Sequence, residues 1–87
     1  MTLINQSTPP TLNDLPRLGR GMVRDVAGDD ATAERLRTLG FTPGTLVEFV
    51  RVAPLGDPLC FRLRGTELCL RREEAGRVGI RAEAASP

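Results

Sequence analysis

The stretch Arg35-Leu36-Arg37-Thr38-Leu39-Gly40-Phe41-Thr42-Pro43-Gly44-Thr45 reads as the end of a short helix, a sharp stop and a forced turn into a strand. Gly40 just past the helix supplies the left-handed conformation that stops helices, and Phe41 falls where a Schellman motif returns its apolar contact to Leu36. Thr42, standing before a proline, is biased towards extended geometry. Pro43 and Gly44 then place a fixed φ and a permissive residue at the centres of a type II turn, so a strand begins at Thr45. Gly40, Pro43 and Gly44 are accordingly assigned as structural turn residues.

Upstream, 21–27 reads as a weak strand without clean alternation, carrying Met22, Val23 and Val26. Gly28-Asp29-Asp30 ends it, and either aspartate suits the cap of a helix over 30–39. On that helix Ala33, Leu36 and Leu39 are expected to face inwards, with Glu34, Arg35 and Arg37 towards water. Further back, Leu12, Leu15 and Leu18 stand three apart, consistent with one helical turn or a bend that drops all three onto the body. Residues 1–11 read as a loose N-terminal arm able to pack or fray, 12–82 as the domain, and 83–87 as a C-terminal tail.

Downstream, 45–53 is rich in β-branched residues, with apolar groups at both parities, as suits a bent strand shared by two sides of a small barrel. Pro54-Leu55-Gly56-Asp57-Pro58 follows as a stiff loop presenting Leu55, either a plug over the barrel end, which is the preferred reading, or an exposed contact. A hairpin turning at Arg64-Gly65 pairs Leu63 with Thr66, Phe61 with Leu68 and Leu59 with Leu70 on its core face, and Arg62 with Glu67 and Cys60 with Cys69 on the other. One helical turn over 71–76 and a closing strand over 77–81, with Val78 and Ile80 inwards, complete the chain. Five short strands of this kind predict a mainly β, small SH3-like barrel with an inserted short α-helix.

Composition narrows function chiefly by exclusion. The 87 residues contain no His, Lys, Trp or Tyr and carry a net charge of +1. The commonest general base, Schiff-base chemistry and the P-loop lysine are therefore missing, and the chain reads as no enzyme. A nearly balanced surface with three phenylalanines, all expected in the core, gives no nucleic-acid footprint. No run of about 18 apolar residues exists to insert in a bilayer, and the N-terminus lacks the pattern of a signal peptide, so a cytoplasmic protein with reduced Cys60 and Cys69 is expected. Those thiols are weak metal candidates, as are the carboxylates of Asp29, Asp30, Glu73 and Glu74. None forms a defined ligand set, so no cofactor is required and only weak, adventitious binding of a divalent transition metal is expected.

Three separated blocks carry a resemblance to a known family: Arg35-Leu36 through Leu39 to Thr45, Val50 to Pro58, and Leu68-Cys69-Leu70-Arg71-Arg72-Glu73-Glu74-Ala75. In these the chain resembles the FeoA domain, that of ferrous iron transport protein A. Arg24 and Asp25 depart from the apolar alternation of such a first strand. The resemblance implies an SH3-like barrel acting in the cytoplasm, at the inner face of the membrane, as an accessory regulator of a FeoB-type iron transporter whose soluble part is a G protein. The barrel is also similar to the C-terminal domain of iron-dependent repressors, which makes a metal-responsive regulatory barrel the alternative. Phe41, Thr42, Pro54, Leu55, Gly56, Asp57 and Pro58 are the expected partner contacts. Homodimer formation is compatible with the sequence.

Overall fold

Asp30 opens helix α1 (Ala31–Leu39) from extended backbone, its carboxylate accepting the Ala33 amide at 3.1 Å. The charge suits the positive end of the helix, and a bidentate pair with Arg77 at 2.6 and 2.7 Å ties this cap to the far end of the chain. Ala33 and Leu36 are fully buried, whereas Leu39 is 40% exposed and not inward as expected. Successive residues rotate by about 100°, so positions three apart drift by about 60° and Leu39 lies roughly 120° round from Ala33.

The helix stops as a Schellman motif. Gly40, at φ 120°, donates to the Arg37 carbonyl, and Phe41 donates to that of Leu36, both at 3.1 Å. Phe41 is thereby driven into the core beside Leu36, both with no exposed surface. Thr42 to Thr45 then turn with Gly44 at φ 91° and the Thr45 amide 3.0 Å from the Thr42 carbonyl, the geometry of a type II turn.

The computed structural model describes residues 10–82. A 3₁₀ turn at Leu12–Asp14 precedes β1 (Arg20–Val26), and α1 leads to β2 (Leu46–Val52), β3 (Leu59–Leu63), β4 (Thr66–Leu70), α2 (Arg72–Ala75) and β5 (Val78–Ala82). All neighbours in the sheet are antiparallel, in the order β4-β3-β2-β1-β5. Among the described residues β4 and β5 share no ladder, so the barrel is not closed by hydrogen bonds; α2 packs on β4 and the 3₁₀ turn, and that turn packs on β5.

The β3–β4 register is the one the residues predict, Leu59 to Leu70, Cys60 to Cys69, Phe61 to Leu68, Arg62 to Glu67 and Leu63 to Thr66. Arg64 at φ 52° and Gly65 at φ 78° supply the two left-handed centres of a type I′ turn. A bulge between Val23 and Asp25 explains the missing alternation of β1: Arg24 is the extra residue, so Val23 and Val26 both reach the core. A second bulge, between Phe49 and Arg51, bends β2 in the same way.

Leu12 and Leu15 are buried, but Leu18 is not packed on the body: it is 63% exposed, at φ 67°. Leu15 precedes Pro16 and is extended, which ends the helical spacing before it reaches Leu18. Of the expected arm, Pro10 accepts the Ile80 amide at 3.0 Å and Thr11 bridges to Gly79. Its remainder (1–9) and the tail 83–87 lie outside the described residues.

Two outcomes test this account. Phe41→Ala should cost about 3–5 kcal/mol, and Gly40→Ala about 1–2 kcal/mol because its Cβ would meet Leu63 at 3.2 Å in a left-handed backbone, both read from urea unfolding midpoints. The hydrogen bonds from Arg77, with that from the Ala33 amide, hold Asp30 far below its ordinary value of 3.8. Its contribution is therefore complete above pH ~4 and is lost as pH falls further. In acid titrations followed by circular dichroism, Asp30→Asn should lose less stability than the parent below pH ~4.

Candidate functional site

Between β2 and β3 the chain makes a short loop fixed at both of its sides. The Ala53 amide donates to the Pro58 carbonyl at 3.0 Å, and the Gly56 amide closes a turn onto the Ala53 carbonyl at 2.8 Å. Gly56 sits at φ 93°, a conformation that L side chains adopt only at a cost, and the Asp57–Pro58 peptide is cis. Arg72, at the start of α2, holds the loop from below: its Nε donates to the Gly56 carbonyl at 2.7 Å, and its amide donates to the Asp57 carboxylate at 3.1 Å.

The result is that Leu55 is 96% exposed. The plug reading is thus overturned. The end of the barrel under the loop is already filled by Leu59 and Leu70, a cross-strand pair at 2% and 1% exposure, while Pro54-Leu55 turn outwards. A leucine standing free on hydrogen-bonded backbone presents apolar surface whose ordering cost is already met by the fold. Pro54 and Asp57 are exposed around it, with Gly56 and Pro58 half-buried.

The other expected contacts do not join this surface. Phe41 has no exposed area and cannot touch a partner, because the Schellman stop turns its ring onto Leu36. Thr42 is half-buried and its hydroxyl accepts from Arg64, at the tip of the β3–β4 hairpin, at 3.2 Å. The same guanidinium donates to the Thr45 hydroxyl at 2.9 Å, and Thr45 is 6% exposed. Thr42 therefore lies at the Leu63 end of β3 and the loop at the Leu59 end, on the order of 13 Å apart along the strand.

The metal candidates are also rearranged. Cys60 and Cys69, opposed as expected, form a disulfide with Cα atoms 4.0 Å apart, so neither is the reduced thiol the compartment argument assigned. The physical reason is local: directly opposed positions of an antiparallel pair bring two β-carbons, and hence two sulfurs, within bonding reach. Asp30 is engaged by Arg77, and Glu74 pairs with Arg35 and accepts the Arg71 amide. Glu73 and Glu74 share a shallow cleft with Thr32 and Arg77, while Asp29 and Asp30 line another with Arg77. Each cleft thus holds an arginine that competes for the carboxylates, and no group of three or more potential metal ligands occurs among the described residues.

Sequence reasoning missed the part of Arg72. It stands 16 positions from Gly56, and nothing in the local pattern of α2 marks it as the residue that fixes the loop. The sequence places Arg64 in a turn, but its bonds to Thr42 and Thr45 depend on how the hairpin tip lies over the Pro43-Gly44 corner.

Known proteins share this architecture. A family model for the FeoA domain matches residues 11–82. The FeoA of Stenotrophomonas maltophilia, a prokaryotic SH3 domain protein in a crystal structure complexed with zinc, is 40% identical; the match covers 88% of this chain and 93% of that one, with a TM-score of 0.74. The FeoA protein of Chlorobium tepidum, solved by NMR, is 33% identical with a TM-score of 0.81, over 90% of this chain and 74% of that one. A Porphyromonas gingivalis Fe(2+) transport protein A/Fe(2+) transporter FeoB fusion protein is 29% identical over 69 residues, which is 79% of this chain and 8% of the length of the fusion. By its sequence blocks, its SH3-like fold and these matches, the chain belongs to the FeoA domain family.

Proposed function

We propose that this chain is a cytoplasmic accessory protein of ferrous iron uptake, which docks on the cytosolic G-protein part of a FeoB-type membrane transporter through the loop between β2 and β3. Leu55 is the apolar anchor, and Pro54 and Asp57 form the rim around it. The observation that carries this reading is a leucine 96% exposed on a loop held by hydrogen bonds at the Ala53, Gly56 and Pro58 backbone and at the Asp57 carboxylate. A leucine on ordered backbone buries its apolar surface on docking at little ordering cost.

Family membership supports the choice of partner. In the Porphyromonas gingivalis relative the FeoA-like segment shares one polypeptide with FeoB, an arrangement that raises the effective concentration of one for the other. A peripheral role is consistent with the architecture, since no helix among the described residues is long and apolar enough to cross a membrane. Regulation by contact also suits a fold whose clefts are shallow and share an arginine with their carboxylates.

The test is a titration of the purified chain against the recombinant cytosolic part of the transporter. Leu55→Asp should weaken binding by about tenfold or more while shifting folding stability by no more than about 0.5 kcal/mol. Arg72→Ala, which keeps Leu55 but releases Gly56, should weaken binding by a smaller factor. Unchanged affinity of a normally folded Leu55→Asp variant would overturn the assignment.

A further inference from the structure

The disulfide stands where the loop is anchored. Cys60 follows Leu59 at the start of β3, immediately after the loop ends at Pro58, and Cys69 precedes Leu70 at the end of β4, just before Arg72 of α2. The two strands thus carry the two halves of one contact: β3 carries Gly56 and Asp57 through Pro58, and β4 carries the Arg72 that holds them. The disulfide joins those halves one pair in from the Leu59–Leu70 end of the ladder. Cys60 is 9% exposed, whereas Cys69 is exposed and lies on β4, which ends the sheet.

We propose that Cys60–Cys69 is a thiol–disulfide exchange site whose redox state sets the rigidity of the Leu55 loop. The reactant class is a dithiol, free or carried by a protein of a reducing compartment. One deprotonated thiol of the dithiol attacks Sγ of Cys69, the accessible sulfur, and the Cys60–Cys69 bond breaks with its electron pair leaving on Sγ of Cys60, which takes a proton. The second thiol then attacks the reductant's own sulfur in the mixed disulfide. Cys69 departs as a thiolate and is protonated in turn. Two electrons and two protons pass to the protein, and the dithiol becomes a disulfide.

In the cytoplasm, where the proposed function places the chain, disulfides are scarce, and those that form are exchangeable and redox-sensing. In the oxidised chain the spacing between Pro58 and Arg72 is covalently bounded. In the reduced chain only the ladder and the Leu59–Leu70 pair hold that end, so the Arg72 bonds to Gly56 and Asp57 open more often. Leu55 then pays an ordering cost on docking, and the partner is bound more weakly.

The device rests on the docking reading only in its last step, so the experiment separates the two. Hydrogen exchange of the Ala53, Gly56 and Arg72 amides is measured in the full chain, oxidised and after reduction by dithiothreitol, together with the Cys60→Ser/Cys69→Ser variant. Two alkylation sites per chain should appear after reduction and none before. Exchange at those amides should accelerate by about tenfold on reduction, and the double variant should exchange at the reduced rate with or without reductant. Equal rates in the oxidised and reduced chain, or thiols alkylated without reductant, would overturn the device. A rate difference with transporter binding insensitive to Leu55→Asp would leave the device standing and remove the docking reading alone.

Discussion

The hydrogen bond from the Phe41 amide to the Leu36 carbonyl is the constraint on which the rest of the structure depends. It closes a nine-residue helix that could not persist in isolation and, in the same motion, buries Phe41 against Leu36 in the centre of the core. Fully burying side chains of this size is worth roughly 2 kcal/mol each, so stop and core support one another. The corner that follows is fastened to β1, with Gly44 donating to the Val23 carbonyl and Val23 to that of Thr45. The direction in which β2 leaves, and with it the order of the whole sheet, follows from this junction.

The opposite end of the sheet is organised differently. There the apolar work is finished by Leu59 and Leu70, and the loop above them is held by polar bonds to backbone, chiefly from Arg72. Because those bonds fix backbone groups of the loop and the Asp57 carboxylate and leave Leu55 free, the loop is ordered without being buried. Leu55 can then stay in water at a small local cost, in a fold whose stability is set elsewhere. Separating the junction that specifies the fold from the loop that exposes Leu55 lets either change without the other.

Charge plays a supporting part. Arg62 stands between Glu48 and Glu67 on the outer face of the sheet, and Arg51 also reaches Glu67, giving a ladder of exposed pairs across β2, β3 and β4. Pairs of this kind contribute on the order of 0–1 kcal/mol each. Their use lies in register, since a slip by one residue would move Arg62 from opposite Glu67 to opposite Thr66 or Leu68 and lose the pairs. Asp30 and Arg77 differ in kind: the pair is bidentate and joins the start of α1 to the residue before β5, positions 47 apart in sequence.

What the sequence by itself determined was everything governed by neighbours a few positions apart. The Gly40 stop, the Pro43-Gly44 turn, the Asp30 cap and the pairing across Arg64-Gly65 are all local, because glycine, proline and a capping carboxylate act on their own backbone and a tight turn fixes the pairing of both its strands. The opposition of Cys60 and Cys69 was legible for that reason, but their bonding was not, since opposition permits the bond while the expected compartment argued for thiols. The exposure of Leu55 was settled by how much of the interior Leu59 and Leu70 already occupied. The hold of Arg72 on the loop and of Arg64 on the threonines belongs to tertiary structure alone. These are contacts between residues far apart in the chain, and no local propensity encodes which surfaces the closing of the barrel brings face to face.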